Sequence, residues 1–319
     1  MYFKKSDYNI ALIPLLAITL TISFSSLSAE AFHFEKLHSF GKNPGQLTAS
    51  YLLPKNKTNV TALVVLLHGC VQNGEQLANK SGFSELAQYY GFALLLPQQS
   101  ADNNVKTCFN WYSDEDNVKS AGESLSLINM ILTLKKQTLA TEVYIAGLSA
   151  GGAMTSAMLV NYPDIFTAGA VVAGIPFPCA DGLIKAISCM RSGPSQNALE
   201  LAKLAEKQNS KLTHWPKLLV VTGREDKVVN PKNSNRLALQ WSEIMQAKIH
   251  QVEVTKFYKK NSWTDAKGDL QVELINIDHI GHGISVNPTV KRGGVEAPFL
   301  LKASISTAKY IVRFWGLVK

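Results

Sequence analysis

The chain has 319 residues, 46% of them hydrophobic, which is enough apolar material to bury a large core in one or two domains. Its formal net charge is +8 at pH 7, from 32 Lys and Arg against 24 Asp and Glu. The basic residues are scattered and form no aromatic-interleaved block, so the charge argues for solubility and against a nucleic-acid partner.

The start of the chain stands apart. Lys4-Lys5, the apolar stretch from Ile10 to Phe24 and the small-residue end Ser28-Ala29-Glu30-Ala31 predict a cleaved secretory signal peptide over residues 1–31. No other stretch is long enough to cross a bilayer, so no stable membrane insertion is expected after cleavage, and the mature protein is expected to be secreted or periplasmic. Residues 32–319 are expected to form one catalytic domain.

Along that domain, His33 to Phe40 and Gln46 to Leu53 read as antiparallel strands joined by the turn Gly41-Lys42-Asn43-Pro44-Gly45. Leu63 to Leu67 is an apolar strand running into His68-Gly69-Cys70. A helix from Gly82 to Tyr90 stops at Gly91, and a strand from Phe92 to Leu96 is closed by Pro97. Glu123 to Leu134 repeats apolar residues at helical spacing. The strand Val143-Tyr144-Ile145-Ala146 follows, then a helix from Ala150 to Tyr162 and a strand from Ala168 to Ala173. Pro176 to Trp215, with a short helix near Ala198 to Glu206, is longer than a plain connection and reads as a lid-like insertion. Lys217 to Thr222 and Val272 to Ile277 are two further buried strands. Strands alternating with helices predict a doubly wound, mostly parallel sheet.

The chemistry is signalled where three of these strands end. Gly147-Leu148-Ser149-Ala150-Gly151 is a G-x-S-x-G elbow lying between a strand and a helix, the context that lifts a serine hydroxyl out of a sheet. The second strand end carries Gly223-Arg224-Glu225-Asp226, and the third Asp278-His279-Ile280-Gly281-His282-Gly283. The order serine, acid, histidine is that of an α/β-hydrolase. A serine hydroxyl needs a neutral imidazole to take its proton and a carboxylate to hold that imidazole. Ser149 is the expected nucleophile, Asp226 the acid with Glu225 as its competitor, and His282 the base with His279 as its competitor. The backbone N–H groups of Ala150 and Cys70 are the expected oxyanion donors. His68 is read as a structural brace of its turn.

Four cysteines in an exported chain suggest two disulfides among three possible connectivities, with Cys70–Cys108 and Cys179–Cys189 preferred. No Cys/His cluster has zinc spacing, so no metal and no cofactor are expected. The loop Cys108-Phe109-Asn110-Trp111-Tyr112 reads either as ordinary packing or as an apolar wall for a substrate group.

Several segments together resemble the poly(3-hydroxybutyrate) depolymerase family of secreted esterases, which is related to feruloyl and acetylxylan esterases. They are Leu67-His68-Gly69-Cys70-Val71-Gln72, Cys108 to Tyr112, Gly147 to Met154, Tyr162-Pro163-Asp164-Ile165-Phe166, Trp215-Pro216, Gly281-His282-Gly283 and Phe314-Trp315-Gly316-Leu317. The resemblance spans essentially the whole mature chain. It implies an α/β-hydrolase fold, the triad Ser149, Asp226 and His282, an oxyanion role for the Cys70 amide and a substrate-facing Trp111. The expected activity is hydrolysis of poly(3-hydroxybutyrate) or its oligomers through an acyl-enzyme. A feruloyl or acetyl esterase acting on plant polysaccharide is the alternative. A non-catalytic binding module is disfavoured because all three candidate residues are present. The partner is then a polyester or small ester.

Overall fold

Strands such as Leu63-Val64-Val65-Leu66-Leu67 are buried on both faces, as strands inside a parallel sheet must be, and they set the architecture. The computed structural model describes residues 1–5, 32–55, 60–209 and 214–318, so most of the expected signal peptide, residues 6–31, lies outside the described residues. Phe32–Lys319 forms one compact unit.

In chain order its elements are β1 (Glu35–Lys36), β2 (Thr48–Leu52), β3 (Ala62–Leu67), α1 (Gly74–Ser81), α2 (Phe83–Tyr90), β4 (Ala93–Gln98), α3 (Gly122–Thr138) and β5 (Glu142–Leu148). Next come α4 (Ala150–Asn161), β6 (Ala168–Val172), α5 (Leu183–Ser192), α6 (Ala198–Gln208), β7 (Lys217–Gly223) and α7 (Lys232–Ile244). The chain continues through β8 (Ile249–Val254), β9 (Tyr258–Thr264), β10 (Leu270–Ile277), β11 (Ile284–Val286), β12 (Leu300–Lys302) and α8 (Thr307–Phe314).

Ten strands form one sheet in the order β1-β2-β4-β3-β5-β6-β7-β10-β9-β8. The central run from β4 to β10 is parallel throughout. Antiparallel pairs close both edges, β1 and β2 on one side and β9 and β8 on the other. Side chains alternate between two apolar layers. Leu63, Val65 and Leu67 face Leu127, Met154 and Leu237 of α3, α4 and α7. Val64 and Leu66 face Leu77, Phe83 and Ile311 of α1, α2 and α8. This is the α/β-hydrolase arrangement, with helices on both faces of a mostly parallel sheet.

Several boundaries differ from the sequence reading. A helix precedes the one expected at Gly82. Asn73 caps α1 by accepting the Gln76 N–H at 3.0 Å, and Gly82, at φ 94°, separates α1 from α2. With Leu77 and Ala78 as its buried apolar residues, α1 carries little hydrophobic periodicity to read. β4 does not stop at Pro97, which lies beyond the last residue paired with β3 and opposite Ala49 of β2. The insertion from Pro176 to Trp215 holds two helices, α5 and α6. Of these, α6 begins with a full capping box between Asn197 and Glu200.

Candidate active site

Three loops at the carboxyl ends of β5, β7 and β10 meet at one point, as open α/β sheets arrange their sites. Ser149 sits between β5 and α4 at φ 57°, a region that a non-glycine residue occupies only under constraint. The flanking glycines supply the constraint. A Cβ on Gly147 would collide with the Gly151 carbonyl, and one on Gly151 with the carbonyls of Leu67 and His68. The backbone of α4 is thus pressed against the ends of β5 and β3, and only glycine fits between them.

The Ser149 hydroxyl lies 2.9 Å from His282 Nε2, and His282 Nδ1 lies 2.8 Å from Asp226 Oδ2. The other Asp226 oxygen accepts the N–H groups of Val228 at 2.8 Å and Val229 at 2.9 Å, which fixes the carboxylate in a fully enclosed position. The competing residues are placed elsewhere. Glu225 and His279 face each other at 3.5 Å with side chains 61% and 86% exposed, on the outside of the same two loops. Arg224 Nη1 donates to Asp278 at 2.7 Å and ties those loops together.

The fourth component is the loop after β3. The Gly69 N–H donates to Gln72 Oε1 at 2.7 Å and the Val71 N–H to the Lys106 carbonyl at 2.7 Å. Between them, the Cys70 N–H has no acceptor among the described residues. Ala150 is the first residue of α4, where an N–H has no intrahelical partner. Both expected donors are therefore free backbone amides next to Ser149.

Side chains hold this loop in place. His68 is fully buried; its Nδ1–H donates to the Gly69 carbonyl at 2.7 Å and its Nε2 accepts the Gln99 N–H at 3.1 Å. Burial keeps it neutral, lowering its pKa to about 4. Gln99 donates in turn to Glu123, a buried carboxyl that also accepts the Asn110 N–H at 2.9 Å. Burial pushes Glu123 up to about 8, with the nearby Asp116 charge adding to the shift and the hydrogen bonds opposing it. The Cys70–Cys108 disulfide, with Cα atoms 4.2 Å apart, joins the same two loops, and Cys179–Cys189 ties the segment before α5 to that helix.

A cavity of about 180 Å³ opens beside Ser149 and His282, walled by Val71, Met190, Val228 and Phe299. Trp111 is half-buried and packs on the neighbouring cluster of Ala153, Ile175, Cys189 and Val229; it is not among the residues lining the cavity. Met190 and Phe299 were not singled out from sequence. Met190 lies on α5 within the insertion, whose length did mark it. Phe299, edge-on to the His282 ring at 6.2 Å, belongs to no motif. The insertion is fastened to the acid loop: the Asn230 N–H donates to the Met190 carbonyl at 2.8 Å, and the Asn233 amide to the Cys189 carbonyl at 2.9 Å.

Comparison with known proteins identifies the family. The family described as Esterase PHB depolymerase matches residues 47–252. Poly(3-hydroxyalkanoate) depolymerase C of Paucimonas lemoignei is 32% identical over 94% of this chain and 73% of its own length. Feruloyl esterase B of Talaromyces stipitatus is 29% identical over 72% of this chain and 67% of its own. The solved acetyl xylan esterase from Aspergillus awamori has the same fold, with a TM-score of 0.74 and 20% identity, covering 90% of this chain and all of that one (100%). The chain is a carboxylic ester hydrolase of the α/β-hydrolase fold and belongs to the PHB depolymerase family of esterases.

Proposed function

We propose that this protein is a secreted serine esterase that cleaves poly(3-hydroxybutyrate) or its oligomers, with Ser149, His282 and Asp226 as its catalytic triad. One observation carries the reading: the unbroken hydrogen-bonded chain from Asp226 through His282 to Ser149, beside two free backbone amides. His282 Nε2 takes the Ser149 proton as Oγ attacks the ester carbonyl. The Cys70 and Ala150 N–H groups receive the developing oxyanion. Collapse of the tetrahedral intermediate breaks the ester C–O bond, and the leaving alkoxide takes the proton from His282. Water then attacks the acyl-enzyme, with His282 again as base, releasing the carboxylic acid and restoring the Ser149 hydroxyl. Asp226, enclosed and acceptor-only, keeps the proton on Nδ1 so that Nε2 faces serine.

The polyester substrate is supported by the name of the Paucimonas lemoignei relative. A second reading, esterase action on feruloyl or acetyl groups of plant polysaccharide, is supported by the fungal relatives named for those activities. Within one domain, the segment from Pro176 to Trp215 acts as a partial lid through Met190. Export agrees with two disulfides, and no helix among the described residues is long and apolar enough to cross a membrane. The test compares wild type with Ser149→Ala on amorphous poly(3-hydroxybutyrate), methyl ferulate and acetylated xylan. Polyester hydrolysis that drops roughly 10⁶-fold in the variant is the expected result. Cleavage of ferulate or acetate esters alone moves the substrate to the second reading, and hydrolysis that survives in the variant overturns the triad.

A further inference from the structure

The cavity beside Ser149 continues into a second one. Val71, Gln72 and Phe299 line both, and the second has a volume of about 380 Å³. One wall is α1 and its cap, through Asn73, Gln76 and Lys80; the other is the segment Ala297 to Leu300. The two walls are pinned at their base. The Val295 N–H donates to the Lys80 carbonyl at 2.7 Å, and a side chain on Gly294 would run into the carbonyls of Lys80 and Ser81. At the boundary between the cavities stand two apolar residues held at positive φ, Val71 at 56° and Phe299 at 64°. A bulky residue in that region is kept there by its surroundings, and such positions gather at binding clefts. Val71 is 61% exposed, an apolar face turned to the cleft.

The chemistry of the step gives this cleft a direction. His282 passes its proton to the leaving oxygen, so the leaving alcohol departs on the His282 side, where Phe299 stands edge-on to the ring. In a polyester of hydroxy acids, the leaving alcohol is the portion that runs on to the chain's carboxyl end. Beyond Phe299, that portion meets Gln76 and then Lys80, one turn apart on the same face of α1. From Asn73 to Lys80 the helix covers about 10 Å. Among the described residues no carboxylate pairs with Lys80.

Resting on the ester-hydrolase reading above, we infer that the Val71–Phe299–Lys80 cleft is the leaving-group subsite, and that Lys80 receives the terminal carboxylate of a short hydroxy-acid oligomer. Val71 and Phe299 flank the ester chain, and Gln72 and Gln76 offer amides to its carbonyls. The enzyme therefore prefers free-acid oligomers to the same oligomers capped as methyl esters.

The test measures kcat/KM for a 3-hydroxybutyrate trimer as the free acid and as its methyl ester, in the full protein and in Lys80→Gln, Lys80→Glu and Lys80→Arg. In the wild type the free acid is favoured about fivefold, the scale of one partly exposed ion pair. Lys80→Gln removes the preference through KM, Lys80→Glu reverses it, Lys80→Arg restores it, and added salt weakens it. An active wild type with equal kcat/KM for the two trimers, or a preference that Lys80→Glu leaves in place, overturns the subsite alone. A wild type that cleaves neither trimer nor any simple ester overturns the hydrolase reading and the subsite with it.

Discussion

The two walls around Ser149 are built from different materials. On the serine side the backbone is the scaffold: Gly147 and Gly151 let α4 close against β5 and β3 so tightly that no side chain fits between them. On the Cys70 side, side chains do the holding. His68 braces the turn, Gln99 and Glu123 carry the network to Asn110, and a disulfide ties Cys70 to Cys108. Backbone contact is indifferent to solution conditions, whereas buried titratable groups and a disulfide respond to pH and to reductant. The expected nucleophile therefore rests on backbone packing, and the expected oxyanion donor on groups that respond to pH and to reductant.

Three variants test that contrast. The largest effect is expected at Asp226, which His282 links to Ser149 on the fixed side. Asp226→Asn keeps the packing but lets Nδ1 lose its proton-directing acceptor, so kcat falls by about 10⁴-fold while the unfolding midpoint moves little. A loss of less than tenfold would remove Asp226 from the triad. Next is the responsive side. Replacing Cys70 and Cys108 together by Ser releases a cross-link between residues 38 apart, and stability measured by urea unfolding falls by about 2–4 kcal/mol. A wild-type sample held in reductant, which also opens Cys179–Cys189, loses at least as much, and an unchanged midpoint in both would mean that the polar network alone holds the loop.

The smallest effect is the pH response of that network. The folded-state pKa of Glu123 is raised, to about 8, so its contribution is present at low pH and is lost as pH rises through that value. His68 has the opposite sign: its lowered pKa makes a contribution that is present above about 6.5 and is lost as pH falls towards about 4. Below about pH 6.5 the two oppose each other; above it Glu123 acts alone. From about pH 6 to pH 9 the wild type loses on the order of 2 kcal/mol, and Glu123→Gln flattens that slope. Equal slopes of Tm against pH in the two proteins would place the response elsewhere.

Much of this site was legible before any coordinates. The Gly147 to Gly151 elbow is read from sequence because its constraint is local: glycines must stand where backbone meets backbone, and a strand and helix must flank them. The strand ends at Asp226 and His282 are legible for the same reason, since apolar runs announce strands and the chemistry follows where they stop. The second antiparallel edge was harder to see because β9, Tyr258-Lys259-Lys260-Asn261-Ser262-Trp263-Thr264, carries few apolar residues. Helix α1 was missed for a similar reason.

Sequence by itself pointed to the fold class, to Ser149 as the expected nucleophile and to the order in which the expected acid and base follow, because each signal rests on near neighbours in the chain. Only the tertiary structure decided that Asp226 and His282, rather than Glu225 and His279, line up with Ser149. Neighbouring residues on one loop point in different directions, and which one turns inward depends on the loop packed against it. It alone joined Val71, Met190 and Phe299 into one wall, since these lie far apart in sequence and meet through the packing of three separate segments. The disulfide pairing, too, is a matter of which Cα atoms the folded chain brings within reach, a distance that spacing along the sequence does not contain.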